Sequence, residues 1–185
     1  MKITAMDGYL FFDSVTPETR SALFEMVEDE LLRLAAVTVS GSVAAFAAYT
    51  APDVRSAYAL VEAVAETVGR PSARLLAVSG RQGGEAAAAG PGTARFEGER
   101  AVALALLRVP LSRAEDVATL AGRIGDARAA VVLGGAVTVL VEVDGASLDD
   151  LEPKLADVLA VAGDAETEVL VTTTELGIGW GGRTD

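Results

Sequence analysis

Apolar and polar positions along this chain follow two periods, and the period changes at regular places. Residues 9–12, Tyr-Leu-Phe-Phe, are apolar throughout and predict a strand. Leu23, Met26, Val27, Leu31 and Leu34 then recur mostly at three- and four-residue steps, which predicts a helix running to about Arg33 with one buried side. Thr16 is placed to cap that helix, and Pro17 fits its first position, where no N–H is needed. Ala35 to Val39 and Val43 to Tyr49 predict a hairpin turning near Gly41. Pro52-Asp53 opens a second helix with Val54, Ala57, Tyr58, Val61, Val64, Ala65 and Val68 on one side and Gly69 at its end. Ala73 to Val78 is a last strand, so the order is β-α-β-β-α-β.

The series then repeats. Ala101 to Val109 predicts a strand. Ser112 and Glu115 have the spacing of a capping box, before a helix that turns Val117, Leu120, Ala121 and Ile124 inward. Ala129 to Val143 is two β-branched runs joined at Gly134-Gly135, and two glycines tolerate the positive φ of a tight hairpin. Residues 147–162 predict the next helix and Gly163 its end. A proline inside a helix costs about 3 kcal/mol, so Pro153 places the regular start near Asp150 to Glu152. Glu168 to Thr173 is the closing strand. A shift of 94 positions lays residues 9–79 on 103–173 without a gap, with Leu10 on Leu104, Gly41 on Gly135 and Gly69 on Gly163.

This predicts a first repeat over 1–79, a Gly/Ala-rich linker over 80–98, a second repeat over 99–176 and a glycine-rich tail over 177–185. The linker's Gly-Arg-Gln-Gly-Gly lacks the lysine a phosphate loop needs. The strands are apolar at nearly every position and want cover on both faces. The expected fold is therefore α+β, a pseudo-dimer whose antiparallel sheets stack or join edge to edge with helices outside.

Composition narrows the chemistry. Of 185 residues, 51% are apolar, and the net charge of −12 opposes non-specific binding to nucleic acid or anionic membranes. The chain has no histidine and no cysteine. That removes disulfides, thiolate nucleophiles, zinc fingers, histidine-held haem and every Ser-His or Cys-His pair. Only carboxylate sites for hard cations stay open, and no metal or cofactor is expected. The first residues carry no long apolar core of a signal peptide, and the apolar runs are of strand length, so the expected location is the cytoplasm.

The βαββαβ order resembles the ferredoxin-like superfold. The second half resembles the effector-binding domain of Lrp/AsnC regulators, with a glycine at its hairpin and a Thr-rich last strand from Val169 to Leu176. The tandem also resembles the double-domain shell proteins of bacterial microcompartments. These resemblances imply action by binding, as a homo-oligomer or with a protein partner.

Candidate site residues follow from burial. Glu142 alternates out of the Val139, Val141, Val143 set. If it lies between the sheets it needs a partner, and Arg108, also on a strand, is the expected one. Thr172 offers a hydroxyl to the same ligand site. Trp180 and Arg183 in the tail are candidate partner-binding anchors, unless Trp180 docks on its own domain. Asp7-Gly8 reads as a turn, and Glu25, Glu28, Asp29 and Glu30 as a solvated face. No residue is singled out as catalytic. The expected function is a non-catalytic small-molecule-sensing or assembly module. The alternatives are a small cofactor-free enzyme with an inter-sheet cleft, an acidic interaction or inhibitor factor, and a shell-type building block.

Overall fold

The computed structural model describes residues 6–38, 42–78, 100–125, 127–173 and 178–180. The first repeat is β1 (Met6–Phe12), α1 (Pro17–Glu28), β2 (Leu34–Val37), β3 (Ala45–Ala51), α2 (Val54–Thr67) and β4 (Ala73–Val78). The second is β5 (Ala101–Arg108), α3 (Leu111–Ala121), β6 (Arg128–Val132), β7 (Val139–Gly145), α4 (Leu148–Ala162) and β8 (Glu166–Thr173). A short β9 (Ile178–Trp180) follows. The predicted linker and Arg183 lie outside the described residues.

Local chemistry starts and stops most of these elements as expected. Thr16 accepts a bond from the Thr19 amide, Asp53 from Ser56 and Ser147 from Asp150, capping α1, α2 and α4. Three expectations fail. α1 ends at Glu28, and Glu30 takes a left-handed φ of 61° in the turn that follows, so Arg33 is outside the helix. Ser112 caps nothing, because α3 starts at Leu111 and takes Ser112 into its first turn. α4 starts at Leu148 and carries Pro153 inside, where the Ser147 cap holds the first turn regardless. Gly134 and Gly135 do take positive φ, 83° and 97°, in a hairpin loop wider than two residues.

All nine strands form one sheet in the order β8-β5-β7-β6-β4-β1-β3-β2-β9. Each repeat contributes four antiparallel strands, and β4 joins β6 edge to edge through Ala77 with Val132 and Val78 with Val131. The sheet also curls. Thr172 on β8 donates to the Val37 carbonyl on β2 at 2.6 Å, and Ser42 donates to Glu168, so the far edges meet. β9 covers the open edge of β2, Leu34 opposite Trp180.

The curled sheet has three cores. Inside, Phe11, Phe46, Leu104, Leu140 and Leu170 pack in one buried cluster drawn from both repeats. Outside, α1 and α2 cover one half over Leu10, Phe12 and Ala47. α3 and α4 cover the other over Ala103, Leu107 and Val141. The two ferredoxin-like units are therefore both fused at an edge and stacked face to face.

The repeat is not gapless in space. Leu10 faces Ala47, but Leu104 faces Glu142, one place beyond the residue 94 positions after Ala47. A slip of one residue turns side chains to the opposite face. Leu10 accordingly packs outward under helices while Leu104 packs inward.

Candidate functional site

The inner face of the sheet is largely apolar, and at one place five strands or their ends bring charge together on it. β1 contributes Asp7 and Tyr9, two residues apart and on one face. β7 contributes Glu142 and Asp144 in the same way. Arg128 opens β6 directly opposite Glu142. Arg33 sits just before β2, aimed inward by the turn after α1, and Arg100 just before β5.

At the centre, both Glu142 oxygens are held. Arg33 grips them with two parallel bonds of 2.6 and 2.7 Å, and the Tyr9 hydroxyl donates to one at 2.8 Å. Arg33 also donates to the Tyr9 oxygen at 3.2 Å and lies over its ring. Glu142 and Tyr9 are each 1% exposed. Burial alone would raise the Glu142 pKa, but the Arg33 charge and its hydrogen bonds outweigh it and hold the carboxyl below its ordinary value. Burial, then the Glu142 charge, push the Tyr9 phenol well above its ordinary 10. For Arg33, burial works against the charge, and Glu142 more than restores it. Near neutral pH the triad is a carboxylate, a neutral phenol and a guanidinium.

Beside it stands a less satisfied group. Asp7 is fully buried; Oδ1 accepts from Thr50 at 2.8 Å, while Oδ2 lies 3.3 Å from the Arg128 Nε without a hydrogen bond. Arg128 Nη1 is buried and also lacks a hydrogen-bond partner among the described residues. Arg100 pairs with Asp144 at 2.5 Å, and Lys154 donates to the Asp144 carbonyl.

The duplication does not account for this cluster. The counterparts of Arg33, Arg128 and Glu142 in the opposite repeat are Ala127, Leu34 and Ala48. Allowing for the slip, those of Asp7 and Tyr9 are Val102 and Leu104. Polar groups stand on one side where the pseudo-equivalent positions are apolar.

The structure treats the predicted residues differently. Glu142 does lie between the sheets, but Arg108 is not its partner. The register sets Arg108 opposite Glu166, four residues beyond the Leu104 that faces Glu142. Arg108 bonds Glu166 at 2.7 Å, both largely exposed, beside a depression of about 50 Å³. Thr172 is buried with its hydroxyl donated to Val37. Trp180 pairs through its backbone with Leu34 of its own chain. Asp7-Gly8 is not a turn but the middle of the β1 pairing.

Sequence reasoning missed Arg33, Tyr9, Arg128 and Asp7 as site residues. Arg33 read as the end of a helix, Tyr9 as part of an apolar strand and Asp7 as a turn. The available signal was a carboxylate two residues before an aromatic in an apolar strand, a position that alternation turns inward. Among the described residues, no group of three acidic residues could hold a metal ion, and no helix is long and apolar enough to cross a membrane.

No family model matches the chain, and no curated protein matches it in sequence. Several solved structures share its fold. Siroheme decarboxylase NirDL superposes with a TM-score of 0.61 at 10% identity, over 97% of this chain and 74% of that one. A candidate monooxygenase from Lactobacillus acidophilus NCFM gives 0.59 at 8% identity, over 97% of both. A chlorite dismutase variant from Candidatus Nitrospira defluvii gives 0.52 at 9% identity, over 91% and 90%. Likeness at such identity extends to the fold alone. It supports a tandem ferredoxin-like architecture and neither the Lrp/AsnC nor the shell-protein resemblance. It also corrects the expected non-catalytic sensing or assembly module, because these neighbours are named as enzymes.

Proposed function

We propose that this protein is an enzyme, working in the cytoplasm without haem, that transfers a proton to or from a small molecule at the charged cluster. The observation that carries this is the Asp7–Arg128 pair. A carboxylate anchored by one oxygen, with the other ion-paired to a guanidinium but not hydrogen-bonded, is an arrangement suited to a general base and the charge that develops as it acts. The Tyr9–Arg33–Glu142 triad serves as a fixed frame, since each member is held in one protonation state.

An iron tetrapyrrole does not fit the charged cluster and the inner face around it. NirDL is recorded with an iron-uroporphyrin III analogue. Such a group needs an axial ligand and a slot of several hundred Å³. This chain has no histidine or cysteine, and Tyr9, whose oxygen is the ligand atom a tyrosine would offer, is bonded to Glu142 and Arg33. Phe11, Phe46, Leu104 and Leu140 fill the inner face.

The test is proton exchange. Purified protein is incubated in D₂O with a panel of small ketones and 2-oxo acids and followed by NMR. The expected result is deuteration of at least one compound above the buffer rate, unchanged by added hemin and reduced about 100-fold or more in Asp7→Asn. No enhanced exchange, or exchange undiminished in Asp7→Asn, overturns the assignment.

A further inference from the structure

The charged cluster has a direction. Its carboxylates lie deep: the Asp7 and Glu142 side chains are 1% exposed and Asp144 is 12% exposed. The side chains of Arg33, Arg100 and Arg128 are 12, 15 and 17% exposed, with one guanidinium nitrogen of each buried. Glu142 and Asp144 are two places apart on one face of β7, about 7 Å along the strand, so the three arginines share one neighbourhood. Three guanidiniums thus meet three carboxylates one for one, and the charge of each arginine is matched inside the cluster.

Each of the three arginines has one buried nitrogen without a hydrogen bond among the described residues, Nε in Arg33 and Arg100 and Nη1 in Arg128, but they are not equally engaged. Arg33 spends both terminal nitrogens on Glu142 and Tyr9. Arg100 is bonded to Asp144. Arg128 meets Asp7 only at 3.3 Å through Nε, outside hydrogen-bond geometry, and its buried Nη1 donates to nothing described. Leaving a buried charged donor without a hydrogen bond is costly, because its lost hydration is not replaced. A guanidinium N–H without a partner is a donor suited to an oxygen of a carboxylate or phosphate.

We infer that Arg128 anchors an oxyanion-binding subsite, taking the carboxylate or phosphate group of a small substrate. This names the substrate class for the enzyme reading above and rests on that reading for its use, though the binding itself does not require catalysis. The bound oxygens replace the missing partner of Nη1, and the neighbouring Asp7 then faces the part of the molecule next to the anion.

Calorimetry and thermal unfolding test it on the whole protein. One arm is titrated with sodium succinate, another with sodium phosphate, each against sodium chloride at equal ionic strength. The expected result is a saturable rise in Tm and measurable heat with at least one of the two, and whichever binds identifies the group. Arg128→Gln should abolish the effect. Arg128→Lys, which keeps the charge and protects folding, should weaken binding about tenfold. Arg108→Gln should leave it intact. An effect matched by chloride, or retained by both Arg128 variants, overturns the subsite. So does a crystal soaked in either anion that shows only an ordered water on Arg128 Nη1. Exchange of neutral ketones that persists while anion binding fails would sink the subsite and leave the enzyme reading standing.

Discussion

Glu142 shows how much one side chain can depend on its partners. It is buried, ionised and held by three hydrogen bonds from two residues. Removing its charge leaves Arg33 buried without a counter-ion, and Glu142→Gln should cost about 3–5 kcal/mol in urea unfolding. Replacing Arg33 and Glu142 together with Met should cost less than the two single changes summed, because a buried pair is stabilising mainly against the loss of one member. The same pair sets a pH dependence. Folding lowers the Glu142 pKa from 4.5, so the unfolded chain takes up the proton first as acid is added. The stability advantage of the wild type over Glu142→Gln should be full above about pH 4.5 and shrink as pH falls through the lower, folded value. Tyr9 acts at the other end of the scale: its raised pKa favours the folded state below about pH 10, and that share should fade as pH rises further. Urea midpoints measured across pH in wild type, Glu142→Gln and Tyr9→Phe read both limits.

Strand pairing, rather than turn chemistry, explains the glycine at position 8. Gly8 faces Tyr49 across β1 and β3, and a Cβ built there would lie 1.9 Å from the Tyr49 ring. That ring is 3% exposed and packed in the core beneath α1 and α2, so it has no free direction in which to yield. Gly8→Ala should therefore destabilise the protein by about 1–3 kcal/mol, and adding Tyr49→Ala should recover part of the strand pairing while opening a cavity of its own. Thermal unfolding of the single and double variants checks this. Helix starts at Thr16 and Asp53 were legible because a side-chain acceptor before a helix acts over three residues. The end of α1 was not, since Leu31 and Leu34 continue the helical spacing past the point where the chain turns at Glu30.

For the whole molecule, two half-sheets share one interior. Phe11 and Phe46 from the first repeat pack with Leu104, Leu140 and Leu170 from the second. Neither repeat covers that face alone. Residues 1–79 and 99–185 made as separate chains should not stay folded and monomeric; each should aggregate or dimerise, as light scattering on a sizing column would show. Stable monomeric halves would contradict the shared interior. The curl that buries this face also carries Asp7 and Tyr9 from one repeat to Glu142 and Arg128 from the other, so the candidate site exists only in the joined molecule.

Periodicity, caps and paired glycines were enough to establish two βαββαβ units and to require that their apolar faces be hidden. Those features are local, acting over two to four residues, and a sequence displays them directly. The one-residue slip of β5 against β7, the turn that throws Arg33 inward and the meeting of Glu142 with Tyr9 across 133 positions came from tertiary structure alone. A side chain's partner depends on register and curl, which are settled by packing the entire sheet, and no stretch of sequence records that balance by itself.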